Sequence, residues 1–231
     1  MKTAGIVGGI APESTIQYYR LMIAAYRECK RDGSYPSMLI NSIDMKAMLD
    51  LIGANNLAGL TKYLAGEVDR LARAGADFAL LASNTPHIVF EALRQEAPVP
   101  MLSIVEATCA VAQGLGLQRV GLFGTRFTMQ GQFYAEVFSR QGIVVISPAP
   151  EEQETIHHQY MSELVNGIFL PETRTCMLEI ADRLRVREGI EGLVLGGTEL
   201  PLLLHDAGGG ELPFLDTTKI HAECAVARML S

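Results

Sequence analysis

Short apolar runs bounded by glycine or proline alternate along the chain with longer stretches whose apolar residues recur at helical spacing. The short runs predict strands over 3–8, 36–43, 77–82, 100–104, 118–123, 142–146, 191–196 and 213–215. The longer stretches predict helices over 12–30, 55–75, 85–96, 104–115, 128–141, 151–167, 171–188 and 218–230. Runs such as 77–82 are apolar almost throughout, which suits parallel strands covered on both faces. Alternating strands and helices predict an α/β fold built from parallel sheets flanked by helices. Right-handed crossovers then gather the C-terminal strand ends along one edge, where ligands bind in such folds.

The pattern repeats. Residues 4–9, AGIVGG, resemble 120–125, VGLFGT; residues 77–87, DFALLASNTPH, resemble 191–201, EGLVLGGTELP. PMLS from Pro100, followed by Ala110-Val111-Ala112, resembles PFLD from Pro213, followed by Ala225-Val226-Ala227. The nearly constant offset implies a duplicated half of roughly 115 residues. The expected architecture is therefore two pseudo-symmetric lobes, each a parallel sheet flanked by helices, with a ligand cleft between them. No low-complexity linker separates the halves, and the one loose segment, Ala207–Gly210, is expected to be a surface loop.

Composition narrows the function classes. The chain has 231 residues, 48% hydrophobic and 19% charged, with a formal net charge of −7. That balance argues against a nucleic-acid or anionic-membrane surface, which needs clustered Lys and Arg. No apolar run approaches the length of a membrane span. The glycine-rich N-terminus reads as a first strand rather than a signal peptide, so a cytoplasmic location is expected. Cys29, Cys109, Cys176 and Cys224 lie far apart without a CxxC pair, and are expected to be buried or semi-buried apolar thiols. The chain carries no signature for pyridoxal phosphate, nicotinamide or a metal site, so no cofactor is expected.

Candidate chemistry lies in the loops after the matched strands. After the first strand, Gly8, Gly9, Ile10 and Ala11 lead into a helix with Pro12 in its first turn. This is neither GxGxxG nor a phosphate loop. Ser83, Asn84 and Thr85 precede Pro86 and His87, where a helix N-terminus would attract a carboxylate or be capped. The matching loop in the second half is Gly197, Thr198 and Glu199. Two such loops can hold one small anion. Thr125 and Thr128, with Arg126 between them, offer hydroxyls and charge, or cap a helix. Asp44 and Lys46 read as surface residues. His87 is a base near neutral pH or a structural hydrogen-bonding group. His157 and His158 are adjacent on a polar helix and do not share a face, which argues against a metal pair. His205 and His221 have no evident partner in the sequence.

Taken together, GIVGGIAPESTIQYY, SNTPH, GLFGTRFTMQGQFY, GGTELPLLL and PFLDTTKIHAECAV, in this order along the whole chain, resemble the cofactor-independent aspartate/glutamate racemase family. The resemblance implies two α/β lobes, an amino-acid or small-carboxylate ligand, and a homodimer. It also implies that the strand and helix near 100–116 pack with the second lobe while the C-terminal strand and helix return to the first. The lobes would then be 1–98 with 212–231, and 99–211.

The resemblance implies catalysis by two thiols, since racemisation needs an acid/base group on each face of the α-carbon. The family places one thiol before Asn-Thr and the other before Thr-Glu. Here those slots hold Ser83 and Gly197, while Asn84, Thr85, Thr198 and Glu199 keep the surrounding motif. A serine hydroxyl needs a partner such as His87 to act as a base, and glycine offers no group at all. Two-thiol racemisation is excluded by composition at those positions. The expected catalytic set is Ser83, His87 and Glu199 with the Gly197 slot; the expected substrate-binding set is Gly9, Ile10, Asn84, Thr85, Thr125, Thr128 and Thr198. The expected activity is proton transfer on a small carboxylate or amino acid; the alternative is a carboxylate-binding protein that has lost turnover.

Overall fold

The computed structural model describes residues 1–205 and 212–231, so the expected loop at Ala207–Gly210 lies outside the described residues. Two compact units divide the chain, Met1–Ile104 with His221–Ser231, and Val105–Ile220.

The first unit contains β1 (Ala4–Gly8), α1 (Pro12–Lys30), β2 (Met38–Ser42), α2 (Met45–Gly53), α3 (Leu57–Arg73) and β3 (Phe78–Leu81). A 3₁₀ turn, Thr85–Val89, then runs into α4 (Phe90–Glu96), followed by β4 (Met101–Leu102). Its parallel sheet has the order β2-β1-β3-β4. The chain changes unit at the start of α5 (Ile104–Gly114). The second unit contains β5 (Arg119–Gly124), α6 (Arg126–Gln130), α7 (Phe133–Ser139), β6 (Val144–Ile146) and α8 (Pro150–Ser162). It continues through α9 (Pro171–Glu188), β7 (Gly192–Gly196), α10 (Leu200–Leu203) and β8 (Phe214–Asp216). Its parallel sheet has the equivalent order β6-β5-β7-β8. The chain returns to the first unit within α11 (Thr217–Leu230).

Each core follows from the apolar pattern. In the first unit, Tyr18, Met22 and Tyr26 recur every four residues on α1 and meet Ala4, Ile6, Phe78 and Leu80 of the sheet. Ala222, Ala225, Val226 and Met229 of α11 join the same cluster. In the second unit, Phe123, Leu193 and Leu195 pack with Ile156 and Tyr160 of α8 and Met177, Ile180 and Leu184 of α9.

The same acidic device begins both sheets. Asp77, just before β3, accepts the Thr3 N–H at 2.6 Å on Oδ2 and donates its own N–H to the Thr3 carbonyl at 2.9 Å. Glu191, just before β7, accepts the N–H groups of Gln118 at 2.6 Å and Arg119 at 3.2 Å on Oε2. Those two amide donors hold the Glu191 carboxyl below its ordinary range.

All eight expected strands are present, but the strands do not exchange as the resemblance implies. β4 pairs with β3, through Ala79 with Met101 and Leu80 with Leu102, and β8 pairs with β7. Each covers the edge of its own sheet, where bare N–H and C=O groups would otherwise remain. The unit boundaries fall after residues 104 and 220 rather than 98 and 211.

Helical expectations also change. The stretch 128–141 is divided into α6 and α7 by Gly131, whose backbone is extended. The short helix α2 is additional; Asp44 caps it by accepting the Lys46 N–H at 2.9 Å, and Met48 and Ile52 form its buried face. Asp44→Ala is expected to lower stability by about 1 kcal/mol. An unchanged urea midpoint would show that the cap contributes nothing. Lys46 itself is exposed and pairs with Asp50 at 2.6 Å, as a surface residue. Cys109 is buried and Cys176 and Cys224 are half-buried, but Cys29 is exposed because the whole last turn of α1 is exposed.

Candidate functional site

The first unit presents two loops at the C-terminal ends of β1 and β3. In the first, Gly9 has φ +82°, a left-handed conformation that favours glycine. Its N–H donates to Thr15 Oγ1 at 2.7 Å. Ile10 is buried, and the Ile10–Ala11 peptide is cis. Ser14 Oγ lies 2.8 Å from the Ala11 carbonyl and 3.0 Å from that of Ala82, tying the start of α1 to the end of β3.

In the second loop, Ser83, Asn84, Thr85 and His87 are all buried. The 3₁₀ turn that opens at Thr85 carries little of the dipole of a long α-helix. The loop therefore presents individual amide and hydroxyl groups rather than a long-helix dipole.

His87 answers the alternative left open by the sequence. Its Nδ1–H donates to the Ser83 carbonyl at 3.0 Å, and its Nε2 accepts the Ile104 N–H at 3.3 Å. Its ring stacks on Phe90 with centroids 4.7 Å apart. Burial, then the nearby His221, pushes its pKa down to about 3. Both ring nitrogens are thus engaged with backbone, so the imidazole is a structural group and not the base that Ser83 would need. His221 also gains a partner that the sequence did not reveal. Tyr18 donates its hydroxyl to Nδ1 at 2.7 Å, and Nε2–H donates to the Leu102 carbonyl at 3.2 Å. Burial depresses this imidazole to about 3 as well.

The second unit presents the loops after β5 and β7. Thr125 caps α6 by accepting the Thr128 N–H at 3.3 Å, and the two hydroxyls lie 3.2 Å apart. The Arg126 N–H donates to His157 Nδ1 at 3.2 Å, while the Arg126 guanidinium pairs with Glu154 at 2.7 Å. Burial and the Arg126 charge lower the His157 pKa. His205 is exposed and bonds to the Leu202 carbonyl at 2.8 Å.

After β7, Thr198 and Glu199 are buried at 4% and 1% exposure. Glu199 Oε2 accepts the Thr198 hydroxyl at 2.9 Å and also a hydrogen bond from Tyr160. Tyr160, on α8, is the site residue that sequence reasoning missed. A Cβ at position 197 would lie 2.9 Å from both Cζ and Oη of Tyr160. Burial and the Glu199 carboxylate hold the phenol well above its ordinary pKa. The one signal available was Gly197 itself, since a glycine between two buried residues marks a close approach.

The structure thus gathers Ser83, Asn84, Thr85 and His87 at one strand end of the first unit. It gathers Gly197, Thr198, Glu199 and Tyr160 at the matching strand end of the second. Among the described residues no group of three or more His, Cys, Asp or Glu stands together as a metal site, and no helix is long and apolar enough to cross a membrane.

Comparison with known proteins agrees with this layout. A family profile for Asp/Glu/hydantoin racemases matches residues 7–225. The chain is 25% identical over 236 residues to the broad specificity amino-acid racemase RacX of Bacillus subtilis (strain 168), covering 98% of each chain. An aspartate racemase homologue from Pyrococcus horikoshii OT3 superposes with a TM-score of 0.86 at 34% identity, with both chains covered in full. A candidate Asp/Glu racemase from Yersinia pestis gives a TM-score of 0.91 at 29% identity, again over the whole of both chains.

Proposed function

Because the chain belongs to the Asp/Glu/hydantoin racemase family, we propose that it acts on a small carboxylate or amino acid by proton transfer at the α-carbon, without a cysteine pair or a cofactor. The observation that carries this reading is the buried polar set at matched strand ends: Ser83, Asn84 and Thr85 after β3, and Thr198 and Glu199 after β7. Thr125 and Thr128 extend the same set after β5. The Bacillus relative, an amino-acid racemase of broad specificity, supports an amino acid as the substrate class. Gly9 and Ile10 contribute backbone to the binding loop of the first unit.

In this reading Ser83 orients the carboxylate or a water that takes the α-proton, and Asn84 and Thr85 donate hydrogen bonds to the ligand's carboxylate. His87 holds the loop after β3 through the Ser83 carbonyl. Glu199 holds Thr198 and Tyr160.

A second reading, a carboxylate binder without turnover, is favoured by one observation: neither His87 nor position 197 supplies a free proton carrier. One experiment separates the two. The protein is incubated in D₂O with L- and D-amino acids and C4 dicarboxylates, and α-deuteration is followed by NMR. Exchange in at least one substrate is expected, slowed about 10²-fold or more in Ser83→Ala. Melting without exchange decides the alternative: a ligand at a hundredfold its Kd stabilises by about 2.7 kcal/mol, a rise of roughly 5–10 °C for a chain of this size. Stabilisation without exchange favours the binder, and neither effect across the panel overturns both readings.

A further inference from the structure

The loop after β7 carries a substitution that makes sense only with a residue 37 positions away. In the resemblance, position 197 holds an acid/base side chain. Here it is glycine, and the space is not vacant. The Tyr160 ring edge and hydroxyl stand where a side chain on residue 197 would begin, with Cζ and Oη both 2.9 Å from the position of its Cβ. A real Cβ does not tolerate such approaches, and the atoms concerned belong to a rigid aromatic ring. The ring is fixed at both ends. Its body lies in the core of the second unit with Ile156, Leu164 and Leu200, and its hydroxyl donates to the buried Glu199 carboxylate.

We propose that Tyr160 is the specificity-determining residue of the loop after β7: its phenol plugs the proton-transfer slot that the resemblance places at position 197, so that this loop delivers no proton and chemistry at the α-carbon proceeds from one face only. This deepens the proposed function and rests on it for the identity of the reaction; the plug itself rests on the packing alone. The phenol is not a replacement base. Burial and the adjacent carboxylate both disfavour the phenolate, so its proton stays on oxygen. An α-proton removed on the remaining face returns to that face, and the ligand keeps its configuration. The plug therefore separates exchange from racemisation, which needs a proton carrier on each face.

Two measurements test this. The first needs no ligand. Gly197→Ala is expected to lower the melting temperature by roughly 5 °C, as overpacking does in a chain of this size. In a Tyr160→Phe background, which removes the hydroxyl but keeps the ring, the same substitution keeps most of that penalty. In a Tyr160→Leu background, which keeps apolar volume but withdraws the ring, it costs less than about 2 °C. Tyr160→Met serves in the same role if the leucine variant does not fold. An equal penalty for Gly197→Ala in the ring-bearing and ring-less backgrounds overturns the plug, whatever the protein's reaction. The second measurement follows the native protein with an exchanging amino acid in D₂O by chiral chromatography. Deuterated substrate of the starting hand is expected, with the opposite hand formed at least tenfold more slowly. Equal rates of exchange and inversion overturn the one-faced assignment. If no substrate exchanges, the proposed function fails and the melting measurement still decides the plug.

Discussion

Lowering the pH from 7.5 to about 5 is expected to cost the folded chain about 4 kcal/mol through two buried histidines alone. His87 and His221 are both neutral in the fold and share the same sign of shift. Burial is the main cause at each; His221, and then Arg94, add to the effect at His87. Backbone acceptors at Ser83, Asn84 and Leu102 act the other way and do not overcome it. Above the ordinary histidine pKa neither the folded nor the unfolded chain binds these protons, and stability is level. Between that value and about 3 the unfolded chain binds them and the folded chain does not. Stability therefore falls as pH falls, by about 1.4 kcal/mol per unit for each histidine, until the folded imidazoles protonate. At about pH 5 the loss is about 2 kcal/mol from each. Urea melts across the range from about pH 8 to pH 5 measure it, since depressed carboxylates such as Glu152 and Glu191 act only at lower pH. A midpoint that is flat over this window would mean that both histidines accept protons in place.

Gly9→Ala is expected to lower stability by about 2–5 kcal/mol, the sum of a left-handed backbone cost and an overpacked contact. The residue has φ +82°, and an added Cβ would stand 2.5 Å from the Ile43 carbonyl oxygen and 2.8 Å from Ser42 Oγ. The Ile43 backbone cannot withdraw cheaply, because its N–H is bonded to the Gly8 carbonyl at 2.9 Å at the end of the β1–β2 ladder. Gly33 supplies the internal control. It has φ +83°, but a Cβ there would meet nothing within 4 Å. Gly33→Ala should cost only the backbone part, about 1–2 kcal/mol. Equal melting shifts for the two variants would remove the steric argument and leave Gly9 as an ordinary turn glycine. If the larger shift is found, the proposed binding role of Gly9 and Ile10 predicts that ligand-dependent stabilisation is lost with it.

The strands were legible because each central one is an unbroken apolar run closed by glycine or by small polar residues. Phe78–Leu81 is followed by Ala82 and Ser83, and Gly192–Gly196 by Gly197. Helix α2 was not, although its signals are local: Asp44 in a capping position and Met48 and Ile52 four residues apart. It was masked by its brevity and by its closeness to β2. The candidate loops were found by symmetry, which names positions but not partners. The engagement of both His87 nitrogens depends on Ile104, 17 residues away, and His221 meets Tyr18 across 203 residues. Tyr160 is one apolar residue on a polar helix, and its contacts with Gly197 and Glu199 lie 37 and 39 residues away. Distant contacts of this kind leave no mark in spacing or composition.

The carboxylate pair at the opposite ends of the strands bears on how such a chain can change over time. Asp77 and Glu191 fasten the first residues of β3 and β7 to the segments that begin β1 and β5. Strand register is thus settled at the end remote from Ser83 and Gly197. A residue of the loops after β3 and β7 can be exchanged without the ladder slipping. The fold then does not depend on the chemistry of those loops. A lineage built this way is free to explore new reactions at one rim of each sheet while inheritance is anchored at the other.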